Sequence, residues 1–211
     1  MEGEEENSRK IQSASGEERT VAAPSSGRVS SSSFLYYLGL GTNLGDREAH
    51  LHTAVRHLAE RVGEVAALSG FYSTEPWGFV SNHVFLNAVV CIRTLLAPLD
   101  VLACTQAIER DMGRVHKSAN GVYADRVIDI DLLLCFDGQV KPVCLHTPLL
   151  TLPHPLMHLR DFVMEPLAEI APEVAQAVRT SFLSLYYEPE FRPFLSFVAT
   201  IFEPEGKAFP G

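Results

Sequence analysis

The stretch HVFLNAVVCIRTL, residues 83–95, carries the strongest secondary-structure signal in the chain. Its even-numbered residues from Val84 to Ile92 are all apolar, and a period of two is typical of a strand with one face in a core. Phe85 and Asn87 fall on the other face of the same strand. The stretch therefore predicts a long β-strand, and the segments around it indicate the kind of sheet in which it lies.

The segments on both sides of this strand alternate between strand and helix patterns. Upstream, Asp46 can cap a helix that Gly63 ends, and downstream Pro98 opens a helix that Gly113 ends. The predicted elements in chain order are a strand at 34–38, a helix at 46–63, a strand at 65–74, the strand at 83–95, a helix at 98–113 and a strand at 127–136. This order predicts an α+β, ferredoxin-like (βαββαβ) fold, in which both helices flank one face of an antiparallel sheet.

Composition divides the chain into three parts. Residues 1–33 hold nine serines and six glutamates among few apolar residues, which predicts a disordered extension. Residues 34–174 form the predicted folded domain, and its proline-punctuated segment 137–174 is expected to be a C-terminal wrapping extension with short helical pieces. Residues 175–211 give no decisive pattern, so their order and role stay open.

Charge and cysteine usage exclude several functional classes. The 211 residues include 26 acidic and 17 basic ones, for a net charge of −9. This balance argues against a non-specific nucleic-acid binder and against a protein that binds anionic membranes. The sequence contains no run of 18 apolar residues, so it does not predict a membrane-spanning helix. The four cysteines show no CxxC spacing, so we expect reduced thiols and a cytoplasmic location.

The sequence RVIDIDLLL, residues 126–134, places two carboxylates in an otherwise apolar strand. Residues two apart on a strand share a face, so Asp129 and Asp131 should project together while Ile128, Ile130 and Leu132 enter the core. Neighbouring carboxylates repel each other unless a cation lies between them, and such hard oxygen ligands suit Mg²⁺. A solvated pair on an edge strand is the alternative, and the apolar context favours the metal site.

Basic residues cluster just before this acidic pair. The cluster contains Arg110, Arg114, Lys117 and Arg126. Arginine and lysine beside a metal-binding carboxylate pair suit a polyphosphate, because they neutralise charge during group transfer. Arg160 can add another phosphate contact. A solvated basic loop is the alternative interpretation of the cluster.

Aromatic and glycine-rich stretches complete the candidate features. The aromatic residues in or beside loops are Trp77, Phe79, Phe85, Tyr123 and Phe162. They can stack on a planar heterocycle, with Asn87 supplying a donor and an acceptor edge. The glycines at 39, 41 and 45 have GxGxxxG spacing, which fits neither nucleotide-binding motif well. We expect a tight turn there, with local hydrogen bonds of Thr42 and Asn43.

These pieces occur together in one known family. The stretches that carry the likeness are LGLGTNLGD (38–46), FYSTEPWG (71–78), FLNA (85–88), IE (108–109), MGR (112–114), RVIDID (126–131), LPHP (152–155) and RDFV (160–163). In this order and combination the sequence strongly resembles the 6-hydroxymethyl-7,8-dihydropterin pyrophosphokinase family of the folate pathway, over roughly residues 36 to 174.

The resemblance implies a pyrophosphoryl transfer from MgATP to the pterin's hydroxymethyl oxygen, with AMP as the leaving group. It implies that Asp129 and Asp131 hold two Mg²⁺ ions, and that Arg114 and Arg126 stabilise charge on the phosphates as further catalytic residues. The residues implied on the ATP side are Gln106, Glu109, Lys117, Tyr123, Thr151, His154 and Arg160. The residues implied around the pterin are Thr74, Pro76, Trp77, Phe85, Asn87 and Phe162.

The sequence also departs from the family's pattern. Many members have Trp-Gly-Pro before the arginine that matches Arg126, whereas this chain has Tyr123-Ala124-Asp125. The expected partners are the small molecules ATP and the hydroxymethylpterin, without nucleic acid or membrane, in a monomer or weak homodimer. Two alternatives remain open: a metal-dependent nucleotidyl transferase with a ferredoxin-like palm, and a non-catalytic ferredoxin-like ligand-binding module.

Overall fold

A computed structural model describes residues 33–76, 83–113 and 125–187, with the backbone alone for the last seven residues. The predictions for 1–32 and 188–211 therefore lie outside the described residues. The same holds for four candidate site residues, namely Trp77, Arg114, Lys117 and Tyr123.

The described chain forms seven strands, four α-helices and a short 3₁₀ turn. In chain order these are β1 (Phe34–Thr42), α1 (Arg47–Arg61), β2 (Glu64–Leu68), β3 (Tyr72–Thr74), β4 (Phe85–Thr94), α2 (Pro98–Asp111), β5 (Asp129–Phe136), β6 (Leu145–His146), β7 (Thr151–Leu152), the 3₁₀ turn (Met157–Leu159), α3 (Asp161–Ile170) and α4 (Pro172–Tyr187). Asp46 caps α1 as predicted, because its carboxylate accepts a hydrogen bond from the Ala49 N–H. Pro98 begins α2.

The main sheet is antiparallel, with the strand order β2-β4-β1-β5. β1 pairs with β4 on one side and with β5 on the other, and the short β3 adds to the end of β4. The predicted antiparallel sheet with flanking helices is therefore present. β6 and β7 form a separate two-stranded ribbon.

Each face of the sheet is covered by a different pair of helices. Even-numbered residues such as Tyr36, Leu38 and Val90 pack with buried residues of α1 and α2. Odd-numbered residues such as Tyr37 and Val89 pack with buried residues of α3 and α4. The two predicted helices thus share one face, and the C-terminal helices cover the other.

The prediction of one strand at 65–74 is wrong, because β2 ends at Leu68 and β3 starts at Tyr72. At the break, Ser69 Oγ accepts a hydrogen bond from the Val89 N–H and donates one to the Gly70 carbonyl. The Gly70 N–H leaves the sheet and donates to the Glu169 carboxylate on α3 at 2.9 Å. These contacts satisfy the backbone groups outside the strand ladder, so the chain changes direction there.

The segment after β5 contains more helix than the short pieces predicted for 137–174. α3 has ten residues, and α4 has sixteen and continues past residue 174. Val174, Ala175 and Val178 of α4 are fully buried against the sheet. Within the residues described here, no helix has the length and apolar character required to cross a membrane.

Candidate active site

One end of the α3-covered sheet face carries small and polar residues where the other end carries core residues. On β1, Leu35 and Tyr37 are buried core residues, but the next two residues on that face are Gly39 and Gly41. Across the strands, Gly39 lies opposite Asp131 of β5, and Gly41 lies opposite both Asp129 of β5 and Asn87 of β4. Because the glycines have no side chains, a trough remains between the acidic pair and Asn87.

This trough is the floor of a cleft of about 620 Å³ that is open to solvent. Its lining residues are Gly39, Leu40, Gly41, Thr74, Glu75, Phe85, Asn87, Ala88, Arg126, Asp129, Asp131, Arg160, Phe162 and Val163. The cleft thus brings together eight of the residues singled out from the sequence, although these come from four distant parts of the chain. Concave sites with a few convergent polar groups are the usual form of small-molecule sites.

The prediction that Gly39 and Gly41 belong to a tight turn is wrong, because β1 extends through Thr42. Only Gly45 of the three glycines has a positive φ, at 61°. A Cβ atom on residue 41 would lie 3.0 Å from Asn87 Oδ1, which is a tight contact. The glycine at 41 therefore leaves room for the Asn87 side chain.

The two aspartates of the acidic pair each have an arginine neighbour. Asp129 forms an ion pair with Arg126, and Asp131 Oδ2 lies 3.6 Å from Arg160 Nη1. Burial, and next the charge of Asp129, raise the pKa of Asp131 to about 7. The Asp131 side chain nevertheless keeps 43% of its surface exposed, so it can reach a ligand in the cleft. A bound cation would relieve this repulsion.

The oxygen chemistry of the pair fits Mg²⁺. Asp129 and Asp131 offer carboxylate oxygens on one strand face, which is the donor type this hard ion prefers. Among the described residues no group of three or more His, Cys, Asp and Glu side chains is arranged to hold a metal. A Mg²⁺ ion at the pair would therefore need further oxygen ligands from outside these side chains, such as substrate or water.

Arg160 links the acidic pair to the aromatic part of the cleft. Its side chain is only 6% exposed, and its guanidinium carbon lies 5.7 Å from the centre of the Phe162 ring. A cation above an aromatic face is attracted by the ring's charge distribution. Arg160 is therefore held between Asp131 and Phe162, with its charge directed at the cleft.

The cleft also has two aromatic side chains and a buried amide in its lining. Phe85 and Phe162 line it, and Asn87 is 5% exposed. Asn87 Nδ2 donates a hydrogen bond to Thr74 Oγ1 at 2.7 Å, which fixes the direction of the amide. A fixed amide beside aromatic rings can read the polar edge of a planar heterocycle.

Arg126 is fixed by a contact that links the start of β5 to the end of β1. The Arg126 N–H donates to Asn43 Oδ1 at 2.8 Å, and the Asn43 N–H donates to the Arg126 carbonyl at 3.1 Å. The hydrogen bonds expected within a local turn at Asn43 instead cross 83 residues of sequence. No local pattern in the sequence indicates this pairing.

The other predicted ATP-side residues that the structure describes are not among the lining residues of the cleft. Glu109 is 5% exposed, and its carboxylate accepts a hydrogen bond from the Ile130 N–H at 2.8 Å. Burial, and next Arg160, lower the pKa of His154 to about 4, so this ring is neutral near pH 7. Thr151 Oγ1 lies 3.3 Å from His146 Nδ1. Gln106 on α2 and Pro76 after β3 are half-buried.

The lining also includes residues whose side chains were not among the predicted site residues, namely Gly39, Leu40, Gly41, Glu75, Ala88 and Val163. The glycines had a usable signal, because two glycines spaced by one residue in an apolar strand leave a gap on one face. The contribution of Val163 depends on how α3 packs, which no local pattern indicates.

Comparisons with known proteins identify a family and several similar enzymes. A model of the family described as 7,8-dihydro-6-hydroxymethylpterin-pyrophosphokinase (HPPK) matches residues 37–172. The 2-amino-4-hydroxy-6-hydroxymethyldihydropteridine pyrophosphokinase of Porphyromonas gingivalis is 55% identical over 138 residues, which are 65% of this chain and 91% of that protein. The enzyme of the same name from Methylorubrum extorquens is 45% identical over 139 residues, or 65% of this chain and 83% of its own.

Solved structures of longer proteins share the fold. A crystal structure of HPPK-DHPS in complex with substrates matches with a TM-score of 0.50 and 15% identity, over 67% of this chain and 40% of the other. A Plasmodium falciparum HPPK-DHPS variant matches with a TM-score of 0.51 and 17% identity, over 73% of this chain and 45% of the other. This chain thus spans less than half of those proteins, and the likeness concerns the fold.

Proposed function

Because the chain belongs to the 7,8-dihydro-6-hydroxymethylpterin-pyrophosphokinase family, we propose that its cleft transfers pyrophosphate from ATP to 6-hydroxymethyl-7,8-dihydropterin. The protein is an ATP-dependent diphosphotransferase of folate biosynthesis. The hydroxymethyl oxygen forms a bond to the β-phosphorus of ATP, the bond from that phosphorus to the α,β-bridging oxygen breaks, and AMP leaves. The observation that carries the proposal is the position of Asp129 and Asp131 in the same cleft as Phe85 and Asn87.

The acidic pair would hold Mg²⁺, and two ions are proposed. When bound, such ions neutralise the phosphate oxygens and align the β-phosphorus for in-line attack. Asp129 and Asp131 supply two carboxylates from one strand face, so ATP phosphates and water would supply the other ligands. The raised pKa of Asp131 is consistent with a pair that is completed by a cation.

Arginine side chains stabilise the phosphate charge. Arg126 and Arg160 each pair with one aspartate at the cleft surface, so their charges lie where the triphosphate would bind. Arg114 and Lys117 remain proposals from the sequence, since both lie outside the described residues. This arrangement suits phosphoryl chemistry, where positioning and charge neutralisation dominate and little covalent work falls to the protein.

The pterin would bind at the aromatic end of the cleft. Phe85 and Phe162 are proposed to stack on its two faces, and Asn87 to read its polar edge with the Thr74 to Trp77 backbone. The hydrogen bond from Asn87 to Thr74 supports this role, because it holds the amide ready before the substrate arrives. Pro76 and Trp77 complete the proposed pterin site.

ATP is proposed to extend from the acidic pair towards α2 and the segment after β7. Gln106, Glu109, Thr151 and His154 are proposed to contact ATP on this side, and Tyr123 is proposed from the sequence. His154 is held close to the acidic pair, since its backbone N–H donates to the Leu133 carbonyl on β5. The neutral imidazole that burial produces can donate or accept a hydrogen bond without adding charge.

The finer points of fold and setting are proposals as well. The strand order β2-β4-β1-β5 with α1 and α2 on one face supports a ferredoxin-like arrangement with a C-terminal extension built from α3 and α4. We propose a folded domain that begins at 34, after a flanking segment at 1–33, and that includes α4 beyond the expected end at 174, because Ala175 and Val178 lie in its core. A cytoplasmic monomer or weak homodimer that binds neither nucleic acid nor membrane fits the net charge of −9.

The test is incubation of the purified full chain with ATP, Mg²⁺ and 6-hydroxymethyl-7,8-dihydropterin, with AMP detected and the pterin diphosphate followed by ³¹P NMR. AMP that appears only when the pterin is present supports the proposal. A nucleotidyl transferase would release pyrophosphate instead, and a binding module would give no turnover. Either result would overturn the assignment.

A further inference from the structure

The carboxylate of Asp125 joins three segments that are far apart in sequence. Its Oδ1 accepts a hydrogen bond from Asn43 Nδ2 at 2.6 Å, and its Oδ2 lies 2.8 Å from His83 Nδ1. Asn43 follows β1, His83 precedes β4, and Asp125 precedes β5. The segments that supply the cleft floor are therefore connected through one side chain.

The same connection fixes the residue that pairs with the acidic couple. Asn43 is 3% exposed, and it exchanges two further hydrogen bonds with the backbone of Arg126, at 2.8 and 3.1 Å. The Arg126 guanidinium in turn pairs with Asp129. An unbroken series of contacts thus runs from the Asp125 carboxylate through Asn43 and Arg126 to the proposed Mg²⁺ ligand Asp129.

A second contact strengthens the same corner of the sheet. Arg47 Nη1 at the start of α1 donates a hydrogen bond to the Val84 carbonyl at 2.7 Å. Since Val84 follows His83, the beginning of β4 is held both by α1 and by Asp125. The Asn43 side chain is held by the Asp125 carboxylate and by the Arg126 backbone. Loss of the Asp125 carboxylate would release the Asn43 amide from the first of these two partners.

We infer that Asp125 is a positioning residue for pyrophosphoryl transfer, which sets the Arg126 guanidinium against Asp129 through Asn43. The inference rests on the proposed function, and it adds Asp125 to the residues that are proposed to act in that reaction. The contacts of the Asp125 carboxylate with Asn43, and of Asn43 with the Arg126 backbone, carry its proposed action on Arg126. Small displacements of a charge-stabilising group are sufficient to reduce turnover.

The competing account is that Asp125 merely stabilises the fold. A structural residue would lower the melting temperature without changing the rate of folded protein. A positioning residue would lower kcat, and its effect would depend on whether Arg126 is present. The two accounts therefore differ in a double-mutant cycle rather than in a single stability measurement.

The test is such a cycle with Asp125→Ala, Arg126→Ala and the double variant, in single-turnover kinetics and in binding of α,β-methylene ATP with Mg²⁺. We expect Asp125→Ala to reduce kcat about tenfold, with the pterin Kd unchanged, and to cause little further loss when Arg126 is already alanine. Asp125→Asn keeps an acceptor for Asn43 and should recover most of the rate. Asp111→Asn, which removes a solvent-exposed ion pair with Arg61 between α1 and α2, is the control for loss of an ion pair elsewhere.

Equal losses from Asp125→Ala in both backgrounds would overturn the inference, and so would a wild-type kcat in that variant. If Asp125→Ala does not fold, the cycle is run with Asp125→Asn, whose smaller loss must also disappear in the Arg126→Ala background. Failure of the proposed function looks different, because the parent protein then forms no pterin-dependent AMP. The coupling between residues 125 and 126 is still measured in that case by binding of the nucleotide analogue.

Discussion

Arg160 lies 3.6 Å from Asp131, although the two residues come from different elements on the α3-covered side of the sheet. The arginine lowers the pKa of Asp131, but burial and the neighbouring Asp129 outweigh it, so the net shift is upward to about 7. One buried guanidinium therefore does not balance the acidic pair. The burial and mutual repulsion of the two carboxylates are the physical reason for proposing that the cleft binds a divalent cation together with a polyphosphate.

The first prediction concerns the stability of the metal-free protein. The pKa of Asp131 is raised from 3.8 to about 7, so the folded state holds its proton more tightly than the unfolded state. Between pH 4 and 7 this carboxylate progressively loses its proton and destabilises the fold. Asp131→Asn removes that cost, and we expect it to melt at higher temperature than the parent at pH 8 in EDTA.

The size of this effect is limited by solvent. The side chain is 43% exposed and screened by water, so we expect a difference in stability of only about 1 kcal/mol at pH 8. The difference should vanish near pH 4, where both carboxyl and amide are neutral. A pH-independent difference in melting temperature would contradict the raised pKa.

The second prediction uses the two strand glycines as a matched pair. A Cβ at residue 41 would lie 3.0 Å from Asn87 Oδ1, whereas a Cβ at residue 39 would lie 3.5 Å from the Leu133 side chain, an ordinary contact. Gly41→Ala should therefore displace the Asn87 amide and raise the pterin Kd about tenfold. Gly39→Ala should change the pterin Kd less. Pterin titration by fluorescence measures both, and equal Kd values would refute the steric argument.

The third prediction concerns Asn87 itself. Its amide is buried and offers both a donor and an acceptor, so Asn87→Ala should weaken pterin binding by about 1–3 kcal/mol. Thr74→Val removes the hydroxyl that accepts from Asn87 but keeps the volume, so it should cause a smaller loss. Calorimetry should show unchanged affinity for the Mg²⁺ complex of the ATP analogue in both variants. An unaltered pterin Kd in Asn87→Ala would remove this residue from the pterin site.

The fourth prediction concerns turnover. Asp129→Ala and Asp131→Ala should each reduce kcat by at least about 100-fold, because phosphate geometry held through the cation would be lost. Circular dichroism should show an intact fold, since both side chains line the cleft. Asp111→Asn again serves as the control for an exposed aspartate. Rates close to the parent's in both alanine variants would refute the assignment.

The sequence was most informative where the alternation of residues along a strand determines which side chains face the core and which face the cleft. Ile130 and Leu132 enter the core while Asp129 and Asp131 face the cleft, as the period of two predicted. The same holds for Phe85 and Asn87 on β4. Strand periodicity is a property of the backbone, so it needs no knowledge of distant contacts.

The predictions from the sequence were wrong where contacts between distant parts of the chain determine the structure. The single strand expected at 65–74 is interrupted after Leu68, where the Gly70 N–H bonds to Glu169, 99 residues later. The local sequence at Gly39 and Gly41 is typical of a turn. Both residues lie in a strand because they pair with Asp131 and Asp129 of β5, which are far along the chain. The role of Asn43 likewise depends on Arg126. Such contacts depend on tertiary packing and have no local signature.

The most direct test of the central claim is the binding of Mn²⁺, as a substitute for Mg²⁺, measured by electron paramagnetic resonance with α,β-methylene ATP present. The parent protein should hold Mn²⁺ together with the nucleotide, and Asp129→Asn combined with Asp131→Asn should weaken that binding by at least about 100-fold. Equal retention of Mn²⁺ and nucleotide by the parent and by the double variant would contradict the account.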